Sequence, residues 1–240
     1  MNNWAAPQKP NGYAEQSLLQ AILDGTFPPG STLPGERTLA EQLGVTRPTL
    51  REAIQRLSRD GWLTVQQGKS TVVNNFWQDG GLNVLEALVA YPDHLPRGFI
   101  TNLLEVRLNL APAYTRAAVS QSATAVADFL ADYLTLADET AVYAAYDWQL
   151  HRHLTIQSGN AIYTLILNGF TGFYEQLARL YFANDAARAR SRLFYADLYA
   201  AAQQGDADHA EALTRATMVE SIQLWQTMRA RAKEQETGHG

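Results

Sequence analysis

The chain has 240 residues, of which 19 are Lys or Arg and 24 are Asp or Glu, so its formal net charge is −5. This length accommodates one large or two modest domains, and the absence of cysteine excludes disulfides, thiolate catalysis and cysteine metal sites. No apolar run of about 18 residues could span a bilayer and no secretory leader follows Met1, so we expect a soluble, cytoplasmic protein without a membrane partner.

The N-terminal stretch begins with a polar segment and then predicts two helices. Residues 1–11 are expected to form a mobile tail before a helix at 14–23. A short helix is predicted at 36–43, because its apolar side chains recur at helical spacing. Gly44 follows, at the point where a chain leaving a helix often needs a positive φ. The pattern therefore predicts a helix followed by a tight turn.

A further helix is predicted directly after this turn. Thr46 is a candidate N-cap, and Pro48 falls in the first helical turn, where a missing backbone N–H is tolerated. Leu50, Ile54 and Leu57 recur on one face of this helix, which predicts a buried stripe. The two helices and their turn have the spacing of a helix-turn-helix.

Beyond residue 61 the pattern changes from helical spacing to alternation. Two short strands are predicted within residues 62–66 and 71–73, joined by a hairpin at 67–70. Lys69 at its tip suits contact with phosphate, and Gly68 allows a close approach of the backbone to DNA. A basic hairpin beside a helix-turn-helix is typical of a winged helix.

These elements together predict a DNA-binding surface. Residues 37–69 contain six basic and three acidic residues, a local charge of +3 in a chain that is negative overall. A structural three-helix element with solvated arginines would share the helices, but not the wing and the local charge. The start of the second helix is the end that enters the major groove. The predicted DNA-binding residues are Arg37, Thr46, Arg47, Thr49, Arg51, Gln67, Gly68 and Lys69.

The remainder of the chain predicts an all-α bundle of six or seven helices. We expect them at residues 82–89, 98–119, 123–135, 141–158, 162–182, 186–203 and 206–234. Most of the many aromatic rings here are expected to be core, and a few could line a ligand cavity. The expected fold is α+β but mostly α, with a winged helix-turn-helix domain at 1–79, a linker at 74–81 and an all-α domain at 80–240.

The sequence resembles a known family of regulators. Residues 33–63 contain the motifs Leu-Pro-Gly-Glu-Arg, Leu-Gly-Val-Thr-Arg, Leu-Arg-Glu-Ala and Gly-Trp-Leu. In this order the motifs resemble the N-terminal domain of the GntR family of bacterial transcription regulators. Asn-Leu-Leu-Glu-Val-Arg at 102–107, Ser-Gly-Asn-Ala-Ile-Tyr at 158–163 and Tyr-Phe-Ala-Asn at 181–184 extend the resemblance to the FadR subfamily along nearly the whole chain. The resemblance implies a homodimeric regulator of fatty acid metabolism that binds a palindromic DNA operator and is released by long-chain fatty acyl-CoA, without a cofactor.

The same resemblance implies a ligand site in the helical domain. The chain departs from the subfamily at Met218, which replaces a glycine beside the nucleotide, and at Ala230, which replaces a lysine. CoA phosphates need cations, so Arg229 or Arg231 would have to substitute. The residues that the resemblance assigns to acyl-CoA are Arg107, Tyr181, Arg215, Glu220, Ser221 and Trp225.

Two other functions have weaker support in the sequence. Asp147 and His151, spaced i and i+4, could supply two ligands of a metal that holds a small carboxylate, as in other GntR regulators. The further histidines that such a site needs are absent, since Tyr195 and Met218 stand nearest to their places, and we predict no metal. An enzyme is not expected either, because no Ser-His-acid pattern, P-loop, Gly-x-Gly-x-x-Gly or His-Glu-x-x-His is present.

Overall fold

The computed structural model describes residues 10–91 and 94–237. The chain forms two compact units, residues 1–95 and 96–240. The shift in composition near residue 80 predicts a boundary at 79/80. The expected tail at 1–11 lies mostly outside the described residues, and Pro10 already belongs to the first helix. No helix of the described residues is long and apolar enough to cross a bilayer.

The first unit is a winged helix-turn-helix. Its elements are α1 (Pro10–Leu23), α2 (Glu36–Leu43), α3 (Arg47–Arg59), β1 (Leu63–Thr64), β2 (Val72–Val73), α4 (Phe76–Asp79) and α5 (Leu82–Val89). Gly44 ends α2 with a φ of 65°, which a residue without Cβ adopts at low cost. The Thr46 side chain caps α3 by accepting a hydrogen bond from the Thr49 amide at 3.3 Å.

The wing is shorter than its alternation predicts, and a third segment supports it. In the antiparallel pair, Leu63 lies opposite Val73 and Thr64 opposite Val72. The segment before α2 joins β2 through an isolated bridge between Thr32 and Val72. This support was not predicted, because its Pro-Gly-rich sequence carries no strand pattern. The side chains of Leu33, Leu63 and Val73 are buried, which attaches the wing to the helices beneath it.

The second unit is all α. Its helices are α6 (Phe99–Leu130), α7 (Thr140–Gln157), α8 (Ala161–Asn168), α9 (Thr171–Phe182), α10 (Asp185–Gln204) and α11 (Ala207–Thr237), with a 3₁₀ turn at Ala131–Thr135. The break expected near residue 121 is only a kink at Ser122, where φ is −146°. The helix expected at 162–182 is divided at Gly169 and Phe170. The α+β, mostly α fold class is confirmed, and six bundle helices lie in the described part of this unit.

The core of the bundle surrounds α6, which packs against α7, α10 and α11. Ala111 and Ala118 on α6 are fully buried and let the neighbouring helices approach closely. Tyr143 and Tyr195 are also fully buried, and their rings stack with centroids 6.3 Å apart. Burial of side chains of this size contributes about 1.5–3 kcal/mol each. The buried rings therefore anchor α10 against α7 in this core.

Candidate functional site

The predicted DNA contacts lie on the first unit, and all of them except the half-buried Thr49 are exposed. Arg47, Thr49 and Arg51 lie in the first turns of α3, and the side chains of Arg47 and Arg51 are each 60% exposed. Arg37 is exposed on α2, and Gln67, Gly68 and Lys69 are exposed in the wing. Gly68 has a φ of 73°, a conformation that glycine adopts without strain.

One carboxylate holds the two arginines at the start of α3. Arg51 donates to Glu36 of α2 in a bidentate arrangement, from Nε at 3.2 Å and from Nη2 at 2.6 Å. Arg47 lies 3.9 Å from the same carboxylate. The hydrogen bonds from Arg51 hold the pKa of Glu36 below its ordinary value. Glu36 therefore stays charged and orients two cations that are expected to face DNA.

A cavity of about 120 Å³ opens in the second unit between α6, α7, α8, α9 and α11. Most of its wall is apolar. The aliphatic and aromatic lining includes Leu103, Leu110, Ile166, Leu167, Phe170 and Leu177. Such a cavity, with a few convergent polar groups, is the ordinary form of a site for a small molecule in a helical bundle.

A buried ion pair forms one wall of the cavity. Arg107 on α6 donates from Nη2 to the carboxylate of Asp147 on α7 at 2.8 Å. Tyr174 and Tyr195 donate their hydroxyl groups to the same carboxylate. Burial raises the pKa of Asp147, but Arg107, His151 and the two hydroxyls lower it further, so the net shift is downward. Both Arg107 and Asp147 are thus charged, and together they are neutral.

His151 completes this cluster as a neutral side chain. An arginine can only donate, so Nε2 of His151 accepts from Arg107, and the ring proton lies on Nδ1, which donates to the Tyr114 hydroxyl at 2.7 Å. Burial and the charge of Arg107 lower the pKa of His151 to about 3. The imidazole is therefore uncharged at neutral pH.

The structure explains how Asp147 and His151 are used. Nε2 of His151 lies 3.8 Å from Oδ1 of Asp147, so the two side chains share a helix face as their spacing predicted. The Arg107 guanidinium bonds both of them and occupies the place that a shared metal ion would need. Within the described residues, no group of three or more metal-ligating side chains occurs. His153 instead contacts the carbonyl of Ala125, and His209 lies exposed in α11.

Four of the six predicted ligand residues line the cavity: Arg107, Tyr181, Ser221 and Trp225. The Tyr181 hydroxyl donates to Ser221 Oγ at 3.2 Å. Nε of Arg107 and Nε1 of Trp225 are buried and have no hydrogen-bond partner in the described chain. Two donors are therefore available to a ligand that enters this apolar space.

The other two predicted ligand residues lie outside the lining. Arg215 is half-exposed and pairs with Glu211 one turn earlier on α11. Glu220 accepts a bidentate hydrogen bond from Arg190 of α10. Met218, which replaces a glycine of the subfamily, is buried in the bundle core and does not line the cavity.

Comparison with known proteins places this arrangement in a family. Residues 12–73 match the family model described as bacterial regulatory proteins of the gntR family, and residues 74–236 match the FadR C-terminal domain. A fatty acid metabolism regulator protein of Shewanella frigidimarina is 43% identical over 223 residues, with 92% of each chain covered. The chain belongs to the FadR branch of the GntR family.

Further relatives agree with this assignment. The fatty acid metabolism regulator protein of Salmonella paratyphi C is 43% identical over 221 residues, covering 92% of both chains. Among solved structures, Lar, which controls the expression of the Listeria monocytogenes agr system, aligns with a TM-score of 0.57 at 16% identity, over 91% of this chain and 98% of that one. This second likeness concerns the fold. The FadR-branch chain is a transcription regulator of fatty acid metabolism, and the prediction that it is not an enzyme is confirmed.

Several residues around the cavity of this FadR-branch protein were not predicted from the sequence. Tyr114 lies seven residues after Arg107 and therefore on the same face of α6, a spacing that could have revealed it. Tyr174 and Arg190 have no such signal, because their partners lie 27 and 30 residues away. Contacts over such separations are determined by helix packing.

Proposed function

We propose that this protein binds a palindromic DNA operator as a homodimer and that long-chain fatty acyl-CoA, bound in the cavity of the second unit, releases it from DNA. The DNA contacts would come from Arg37, Thr46, Arg47, Thr49 and Arg51, with Gln67, Gly68 and Lys69 in the wing. The start of α3 and the wing tip are exposed, as a winged helix that reads the major groove and contacts phosphate requires.

The cavity carries the ligand part of this proposal. Its wall is apolar, its buried charges are already paired with each other, and two buried N–H groups lack acceptors. A fatty acyl chain needs such a wall, and a thioester offers neutral oxygen acceptors without bringing a charge into the interior. A free carboxylate would leave an unbalanced negative charge beside Asp147, which favours the thioester over the free acid.

The alternative ligand is a small carboxylate held by a metal. Asp147 and His151 are adjacent, but a metal ion would have to displace Arg107, which already bonds both of them. The arrangement therefore supports the acyl-CoA proposal. Elemental analysis of the purified protein is expected to show no stoichiometric metal.

A mobility-shift assay tests the proposal. A duplex selected from random DNA by the full chain is titrated with acyl-CoAs of increasing chain length. Oleoyl-CoA is expected to release the duplex at concentrations at which free CoA and short acyl-CoAs do not. Retention of the complex at saturating oleoyl-CoA, or release by a small carboxylate with a divalent metal, would contradict the proposal.

A further inference from the structure

An ion pair stands beside the cavity and has no part in the cluster around Asp147. Arg190 of α10 donates from Nε and Nη2 to the two carboxylate oxygens of Glu220 on α11, the second bond being 2.8 Å long. Both side chains are 42% exposed. A pair of this exposure adds little to stability, because water screens it and two long side chains lose freedom.

The pair lies next to polar residues that line the cavity. Glu220 directly precedes Ser221, and Ser221 accepts a hydrogen bond from Tyr181. Burial raises the pKa of Tyr181 and the charge of Glu220 raises it further, so the ion pair lies within electrostatic range of the cavity wall. Arg190 is thus a partly exposed cation whose partner, Glu220, adjoins the polar part of the cavity wall.

A thioester that places its acyl chain in the cavity must leave its phosphates outside. The cation in the wall, Arg107, is already neutralised by Asp147, so it cannot balance them. The guanidinium of Arg190 presents two parallel donors, and that fork fits phosphate oxygens as well as it fits carboxylate oxygens. Glu220 occupies that fork in this structure.

We infer that Arg190 binds a phosphate of the acyl-CoA and that Glu220 holds the arginine in place until the phosphate displaces it. The inference rests on the proposed function and adds a residue that selects for the phosphorylated head of the ligand. Glu220, which the resemblance assigned to the ligand, then acts as a competitor of the ligand and not as a contact. Arg229, one turn beyond Trp225 on α11, is the other cation that could hold the phosphate.

Calorimetry on the full chain distinguishes these arrangements. The two probes are oleoyl-CoA and oleoyl N-acetylcysteamine thioester, which shares the acyl chain and thioester but has no phosphate. The variants are Arg190→Gln, Glu220→Gln and Arg229→Gln. The matched control is Arg116→Gln, since Arg116 is 50% exposed and pairs with Asp208 and Glu211 near the start of the same helix α11.

The expected effects have opposite signs. Arg190→Gln weakens oleoyl-CoA binding by roughly three- to tenfold, and Glu220→Gln strengthens it by roughly threefold or more, as charge-assisted contacts of half-exposed groups allow. Neither variant changes binding of the phosphate-free thioester, and Arg116→Gln changes neither probe. Loss of a purely structural ion pair would act in the same direction in both variants.

Three results with the variants would overturn the inference. Both variants could weaken both probes equally, both could leave oleoyl-CoA binding unchanged, or Arg229→Gln alone could cause the phosphate-dependent loss. If the parent protein binds neither probe, the proposed function itself fails and the inference falls with it. Binding of both probes with equal affinity by the parent would refute the phosphate contact while leaving the acyl site intact.

Discussion

At the scale of single residues, Glu36 orients two of the four arginines of α3. Its carboxylate holds Arg51 in a bidentate pair and lies near Arg47, so both side chains are oriented before DNA arrives. The same carboxylate repels phosphate. Pre-orientation favours a particular base sequence, whereas repulsion weakens binding to any DNA.

Replacement of Glu36 by Gln should therefore raise affinity for unrelated DNA and reduce discrimination between operator and non-operator duplexes. The expected change in non-specific affinity is about 1 kcal/mol, the upper range for exposed charge pairs. Fluorescence anisotropy with both duplexes measures it. Glu41→Gln, an equal change of charge on the exposed part of α2, is the control, and equal effects of the two variants would remove Glu36 from this role.

His151 makes the stability of the second unit dependent on pH. Its pKa is lowered to about 3 in the fold, whereas an unfolded histidine titrates near 6.5, so between these values the unfolded chain binds one more proton. The contribution of His151 to the free energy of unfolding is therefore fully present above pH 6.5, and it is lost as the pH falls towards 3. From pH 7 to pH 5 the loss should be about 2 kcal/mol.

Denaturant unfolding at both pH values measures this loss. His151→Gln is expected to be less stable at pH 7, because its bonds to Arg107 and Tyr114 are altered, but to lose about 2 kcal/mol less on acidification. His209→Gln, a change at an exposed histidine, is the control and should lose as much stability on acidification as the parent. Equal pH dependence in all three proteins would show that His151 is not buried in its neutral form.

At the scale of elements, the wing is expected to act through charge. Each phosphate that a protein neutralises contributes about −0.9 to the slope of log K against log salt. Lys69→Ala should therefore flatten that slope by roughly one unit for operator and non-operator DNA alike. Arg59→Ala, at the far end of α3 and paired with Asp60, should leave the slope unchanged. An unchanged slope for Lys69→Ala would place the wing tip away from DNA.

Local signals explain which elements were predictable. The turn at Gly44 and the cap at Thr46 lie where their residue types predict them. The helix α5 lies where its apolar periodicity predicts it. The bridge at Thr32 lacks such a pattern, because it depends on a neighbour distant in sequence. The division of the helix expected at 162–182 does have a local signal, since α8 ends at Asn168 and Gly169 follows, a dipeptide that favours a turn.

The cavity shows the same limit. The resemblance pointed to Arg107, Tyr181, Ser221 and Trp225, which do line one space. It also pointed to Arg215 and Glu220, whose side chains are engaged elsewhere. Residue identity along a helix does not reveal which partner a long side chain takes. The pairing of Arg190 with Glu220 depends on the packing of α10 against α11, which the sequence pattern does not show.

At the scale of the whole molecule, two winged helices are needed to read two half-sites, and operator symmetry should mirror protein symmetry. We therefore expect a homodimer with about twice the 26.6 kDa mass of one chain. Light scattering at micromolar concentration measures it. A 26.6 kDa monomer that binds DNA with one chain per site would count against the proposed operator geometry.

Release by a ligand requires that acyl-CoA and operator prefer different arrangements of the protein. Trp225 lines the cavity, and its buried N–H has no hydrogen-bond acceptor among the described residues. Trp225→Ala should therefore weaken the response to oleoyl-CoA and leave the DNA affinity of the ligand-free protein nearly unchanged. Mobility shifts at fixed protein and rising oleoyl-CoA measure both quantities. If the variant were released as readily as the parent, the ligand would bind elsewhere.

Thermodynamic linkage gives the most direct test of this coupling. If oleoyl-CoA weakens operator binding by some factor, the operator must weaken oleoyl-CoA binding by the same factor. The measurement is the affinity of the full chain for oleoyl-CoA by calorimetry, with and without a saturating operator duplex. We predict that the two factors agree within error and exceed fivefold, the lower end of typical allosteric coupling of roughly 5–150-fold. An oleoyl-CoA affinity that is the same with and without the operator would contradict a ligand-released regulator.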